Sequence, residues 1–316
     1  MLAIAKGQMK PASRSWTAPV FAVTAVALWG LAFPLIQEGL KDFSPIMLGF
    51  VRFAIASIVI LVVIALRYKL ANIASVVRRE WRPLLTLGIL YVTIPNIAQN
   101  LGLQNGTSSI ASVIQSSGPV MTLIFAVLLL KESMTRMKGL GTAIAMGGTI
   151  LLVFSSEISL ENDIFVSSLL ILASAVSYGL AWVSAKRMLE RNPPMLIIGL
   201  SLGLGTIVLG LAVPFEQGSK AVFTMTSTLN IAVLGLFCAG VSSVLYLSSL
   251  EREEVSQQAF FIYLMPVFAS VFAWALLDQG VEPWTAFCGL IIVVGIVMAN
   301  RKHRSNAEAQ VAPGSS

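Results

Sequence analysis

Ten apolar runs, separated by polar links that are short except at Arg67–Arg82 and Phe215–Leu229, dictate most of what this chain can become. They cover residues 18–37, 45–66, 83–103, 107–130, 137–154, 164–185, 195–214, 230–250, 256–277 and 284–300. A helix rising ~1.5 Å per residue needs about 20 apolar residues to cross a ~30 Å hydrocarbon layer, and each run approaches or meets that length. A soluble domain would carry about 25% charged residues. This chain carries 11%, is 56% hydrophobic and has a mean hydropathy of +0.84. It reads as an all-α membrane protein of ten transmembrane helices. Pro45 and Pro194 open the second and seventh runs, where a helix tolerates proline.

Positive charge sets the orientation. With the N-terminus cytoplasmic, 18 of the 21 lysines and arginines fall on inner segments and only Lys41 and Lys220 on outer loops. The remaining one, Arg52, lies inside a run. Basic residues stay on the cytoplasmic side during insertion, so both termini are expected inside a cell (inner or plasma) membrane. The net charge of +6 is thereby assigned to loops and not to nucleic-acid binding. The basic segment 1–17 precedes a retained first helix with no clear cleavage site, and 301–316 reads as a disordered cytoplasmic tail. Cys238 and Cys288 sit inside apolar runs as packing residues, and no spacing suggests a disulfide, metal site or cofactor.

The chain also repeats itself. Trp29-Gly30-Leu31-Ala32-Phe33 returns 149 positions later as Tyr178-Gly179-Leu180-Ala181-Trp182, and Pro45 returns as Pro194. Further on the offset is 147: Gly88 matches Gly235, Pro119-Val120 matches Pro266-Val267, and Gly148 matches Gly295. The expected units are residues 18–154 and 164–300, joined by an external linker at 155–163. Each holds five spans, an odd number, so the two copies must insert with opposite orientation. The loop after span four carries Lys131, Arg136 and Lys138, whereas its counterpart carries Asp278 and Glu282. Inverted repeats of this kind occur in secondary transporters, around a central cavity exposed to each side in turn.

Trp29-Gly30 with Phe33, Arg52 within Leu48–Phe53, Pro119-Val120, Glu132, Gly141 and Gly148 together resemble the EamA-type modules of the drug/metabolite transporter superfamily. The resemblance extends over about residues 20–154 and again 164–300. It implies ten helices around a central cavity and a carrier of small polar metabolites, often an exporter. The second copy departs from the first: Gln279 stands opposite Glu132, Cys288 opposite Gly141 and Ser201 opposite Arg52.

Polar residues within spans are costly and face a cavity or a partner helix. Asn96, Gln99 and Asn100 form a strip in span three, Gln115 follows in span four, and Tyr246 and Tyr263 lie in spans eight and nine. With Trp29 and Tyr178, these are the candidate substrate contacts. For Asn96, Gln99 and Gln115 the cavity reading is weighed against interhelical hydrogen bonding, whereas the serines of spans four and eight read as packing residues. Arg52 is the one ionised group well inside a span and needs a partner. Glu38 or Asp42, helix carbonyls and an anionic substrate group are the alternatives, with structural pairing preferred. Glu132 is expected to form a local ion pair at the turn between spans four and five. Pro119 and Pro266 mark bends, and Gly30 and Gly179 permit close helix approach. Trp16, Trp81 and Trp284 fit an interfacial belt.

The function expected is therefore a secondary transporter, an exporter or exchanger of small polar metabolites such as amino acids, working as a monomer or homodimer. Carriers of phosphorylated sugars or nucleotide-sugars would need several cavity bases. An integral-membrane enzyme would need an acid cluster, His pair or positioned nucleophile. A receptor would need an attached signalling domain. The spans carry no Asp or Glu, and the sole histidine is His303 in the tail. Exchange or facilitated diffusion is thus expected over proton antiport.

Overall fold

A computed structural model describes residues 17–105, 114–115, 117–154, 162–277 and 283–299. The expectations for Asp278, Gln279, Glu282, Trp16, most of the linker and nearly all of both terminal segments fall outside these residues. Helix α1 (Thr17–Gly39) is followed by α2 (Pro45–Arg67) and α3 (Leu70–Gly88). The last runs through a π-helical turn, Ile89–Thr93, into α4 (Ile94–Asn105). Next come α5 (Gly118–Leu130), α6 (Arg136–Phe154), α7 (Asn162–Leu189) and α8 (Pro194–Ala212). Helix α9 (Met225–Val233) passes through a second π segment, Leu234–Val241, into α10 (Ser242–Arg252). The rest comprises α11 (Val255–Ala259), a 3-10 stretch Phe260–Leu264, α12 (Met265–Leu277) and α13 (Pro283–Ala299).

Among the described residues, seven helical stretches are long and apolar enough to cross a membrane, and Gly118–Leu130 and Phe287–Ala299 are shorter apolar helices. Polarity is turned inward: Asn96, Asn100, Ser201 and Ser242 are fully buried, whereas Leu66 (83% exposed) and Leu128 (68%) face outward. The chain is an all-helical, multi-pass membrane protein. Two expectations about elements need correction. Residues 67–82 are not a simple link, because α3 begins at Leu70. Leu70, Ile73, Val76 and Val77 recur at helical spacing between the charges. A non-helical Glu80 (φ −117°, ψ 16°) then separates this amphipathic part from the apolar span. Span nine is likewise not one regular helix: it changes to 3-10 geometry at Phe260 and resumes at Met265-Pro266. Pro119 lies in the first turn of α5, where its missing N–H breaks no helical bond.

The packing follows the sequence offsets. Helix α1 packs on α10 and α12, and α7 packs on α4 and α5. Helix α2 packs on α8, and α6 on α13. A Cβ on Gly30 would lie 2.6 Å from Phe268 Cβ and 3.0 Å from the Ala269 nitrogen. On Gly179 it would meet Thr122 at 3.1 Å and Met121 at 3.4 Å. These neighbours match each other at 147 positions. Ser57 and Thr206, 149 apart, hydrogen-bond to one another at 2.9 Å.

Candidate functional site

The π segments position the site. A π turn misaligns backbone carbonyls, and in a membrane interior each must find another donor. Ser177 Oγ donates to the Leu90 carbonyl at 2.8 Å, and Asn96 Nδ2 donates to the Val92 carbonyl at 2.6 Å. In the second segment Ser242 Oγ donates to the Cys238 carbonyl at 2.5 Å, and Ser243 Oγ donates to that of Ala239. The Ser242 and Ser243 bonds close on their own helix, and the Ser243 hydroxyl also lies 2.6 Å from that of Tyr91. Both segments thereby turn a side chain, Tyr91 or Cys238, onto the wall of one central cavity.

That cavity has a volume of about 70 Å3. Helix α1 contributes Trp29 and Phe33, α2 contributes Arg52 and Phe53, and α4 contributes Gln99. Gln115 and Thr122 line it from the region of α5, and Tyr178 and Trp182 from α7; Ile262 and Met265 complete the opposite wall. Of the expected contacts, Trp29, Arg52, Gln99, Gln115 and Tyr178 meet there.

The aromatic residues form a continuous cluster. Trp29 stacks on Trp182 with centroids 5.6 Å apart, and Tyr178 stacks on Trp182 at 6.4 Å. Tyr91 contacts Trp182 at 4.8 Å and Tyr178 at 5.7 Å. Arg52, only 5% exposed, donates from Nη2 to Asn96 Oδ1 and holds its guanidinium carbon 4.9 Å from the Phe53 ring centre. Its Nε is buried without a hydrogen-bond partner. The acid or backbone partner preferred from the sequence is therefore replaced by a neutral amide. Glu38 pairs instead with Lys41, its neighbour in the adjoining turn.

Several expected contacts are not on the cavity wall. Asn96 stands behind Arg52, and Asn100 Nδ2 donates to the Pro45 carbonyl at 2.8 Å, tying α4 to the start of α2. Tyr246 packs behind the cluster, 4.6 Å from Trp182, and Tyr263 is buried beside Phe260 and Ile292. The helical face that each residue occupies, which depends on the π and 3-10 segments, decided this. Tyr91 and Cys238 were not singled out as site residues in the sequence. Their 147-residue separation was the available signal, as it was for Gln115 with Ile262 and Gly118 with Met265, all four of which line the cavity.

Glu132 also behaves differently from expectation. It accepts from the Val255 and Ser256 nitrogens at 2.9 and 3.1 Å and from Ser256 Oγ at 2.5 Å. It thus caps the start of α11, because those unpaired N–H groups attract a carboxylate more strongly than exposed lysine does. Lys138 beside it pairs with Glu254. Glu216 mirrors the device elsewhere, accepting from Ile46 N at 2.7 Å and Ser44 Oγ at 2.6 Å at the start of α2. Trp81 and Trp284 are 51% and 41% exposed, as belt residues require.

The model of the EamA-like transporter family matches residues 16–154 and again 166–301. An uncharacterized transporter of Archaeoglobus fulgidus is 29% identical over 290 residues, covering 90% of this chain and 98% of that protein. A probable terminal-alkyne amino-acid exporter of Streptantibioticus cattleyicolor is 24% identical, with 92% and 96% covered. The uncharacterized inner membrane transporter YedA of Escherichia coli is 25% identical over 302 residues, covering 90% of this chain and 92% of that protein. A protein crystal structure superposes with a TM-score of 0.77 at 20% identity, covering 91% of this chain and 97% of that one.

Proposed function

This chain belongs to the EamA-like transporter family, and from that premise we propose that it is a secondary carrier of small polar metabolites such as amino acids. The family and its relatives are transporters, not enzymes. The observation that carries the finer reading is the central cavity, which combines a cation, two amides and an aromatic wall inside an apolar helical body. Transport proceeds by alternating access, in the direction of export or exchange, across an inner or plasma membrane. One relative's name, a probable amino-acid exporter, favours amino acids within the wider class.

The architecture proposed is ten spans in two inverted five-helix copies, residues 18–154 and 164–300, with both termini cytoplasmic. The matched neighbours of Gly30 and Gly179 and the Ser57–Thr206 bond support this reading. So does the excess of basic residues on one set of links. On that orientation the Glu132 and Lys138–Glu254 contacts close the cytoplasmic end, and the Glu216 cap closes the outer end. Each joins one copy to the other, so opening either side requires breaking one set. The wall contacts are Trp29, Arg52, Gln99, Gln115 and Tyr178, with Asn96 and Asn100 supporting them. The deciding experiment is metabolite profiling of overproducing and deleted cells, followed by counterflow in proteoliposomes of each compound that changes. Absence of saturable counterflow for every such compound would reject the carrier reading.

A further inference from the structure

We infer that Arg52 is the receptor for a carboxylate on the transported molecule, whose apolar portion lies against the Trp29–Trp182–Tyr178 wall. The inference rests on the carrier reading and narrows its substrate class to small monocarboxylates with an apolar or aromatic body.

The first ground is an unmet requirement. Arg52 is 5% exposed, and among the described residues no ion pair includes it and no Asp or Glu lines its cavity. A desolvated guanidinium with a buried, unpartnered Nε leaves both charge and donor uncompensated. The second ground is positioning. Asn96 Nδ2 is held by the Val92 carbonyl, so its Oδ1 is fixed toward Arg52 Nη2. This contact, with the Phe53 ring, restrains the fork and leaves the Nε edge unclaimed. Guanidinium suits planar carboxylate geometry. The third ground is an internal control. At the position matching Arg52 the second copy has Ser201, also fully buried, so an equivalent helix crossing is built without any charge. The fold does not require the cation.

The class follows from the rest of the wall. Among the described residues Arg52 is the only charged side chain lining the cavity, which suits one negative charge better than a phosphate dianion. Gln99 and Gln115 can hydrogen-bond a further polar group, and the aromatic faces accept an apolar or ammonium-bearing portion.

The test uses the full-length protein in detergent and in proteoliposomes, with Trp fluorescence and thermal unfolding as binding readouts. The probes are L-phenylalanine, L-leucine and 3-phenylpropionate, set against phenylalaninamide, leucinamide, phenethylamine and phenyl phosphate. At least one acid should bind saturably and about 10- to 100-fold more tightly than its amide, the loss expected for one charge-assisted contact. Arg52→Gln should abolish that preference, and Arg52→Lys should retain part of it. The acid-against-amide comparison needs only the unaltered protein, so it decides even if Arg52→Gln does not fold. Equal binding of acid and amide, preference for phenyl phosphate, or no binding of any acid overturns the inference. Carboxylate-selective binding without counterflow would instead reject the carrier reading while leaving the subsite intact. Counterflow of amines or amides unaffected by Arg52→Gln would do the reverse.

Discussion

Two helix crossings in this molecule share a backbone design and differ in chemistry. Where α2 passes the π segment Leu234–Val241, a Cβ on Gly235 would lie 2.7 Å from the Arg52 carbonyl. Where α8 passes the end of α3, a Cβ on Gly88 would lie 2.5 Å from the Ser201 carbonyl. Glycine is needed at both because backbone meets backbone. Only the first crossing carries a charge, held by Asn96; the residue matching Asn96 is Ser243, whose hydroxyl lies 2.6 Å from that of Tyr91. The difference separates what packing demands from what packing leaves free. Glycine belongs to the first category and Arg52 to the second.

The contrast can be tested from its strongest side. Arg52→Gln is expected to reduce transport by about 10- to 100-fold while the protein stays folded, whereas Ser201→Ala should change it by less than about twofold; initial rates of counterflow would show it. Equal losses would mean that the two crossings are functionally alike. Next in size, Gly88→Ala and Gly235→Ala should each destabilise by roughly 1–3 kcal/mol, since overpacking against backbone exceeds the ~1 kcal/mol helix gain of alanine. Gly88→Ala should be the worse, because its other close neighbour is also backbone, the Gly205 nitrogen at 2.7 Å. Melting in detergent should show this as a lowered Tm, and an unchanged or raised Tm would contradict the close approach.

A smaller effect is expected at the ends. Glu132→Gln and Glu216→Gln each weaken a cap joining the two copies, at about 1 kcal/mol, and should increase cysteine-probe access on opposite sides of the membrane. Access from one side for both variants would undo the two-ended closure. Ser201→Ala should raise stability by roughly 1 kcal/mol, because its buried hydroxyl has no partner to lose. Last, collapsing a pH gradient should leave counterflow unchanged; strict dependence on it would reject gradient-independent exchange.

Much of this was readable from residues in order, and some was not. The apolar runs, the Trp29/Tyr178 and Gly30/Gly179 correspondences and the isolation of Arg52 follow from composition and offset alone. Glu132 was misread because its sequence neighbours Lys131 and Arg136 suggest a local pair, while the open N–H groups of Val255 and Ser256 come from 123 and 124 residues away. Residues 67–82 were misread because the charges among the helically spaced Leu70, Ile73, Val76 and Val77 resemble a polar link.

By itself the sequence determined that this chain must be helical, must lie in a membrane and is built from a repeated pattern. Apolar length and charge placement are local quantities that the bilayer acts on directly. Only the tertiary structure decided which polar residues reach the cavity. Asn96 turned behind Arg52, Tyr263 turned into a separate core, and Tyr91 turned to the wall. The π and 3-10 segments shift the face presented by every residue around them, and no helical periodicity read from the chain anticipates that shift.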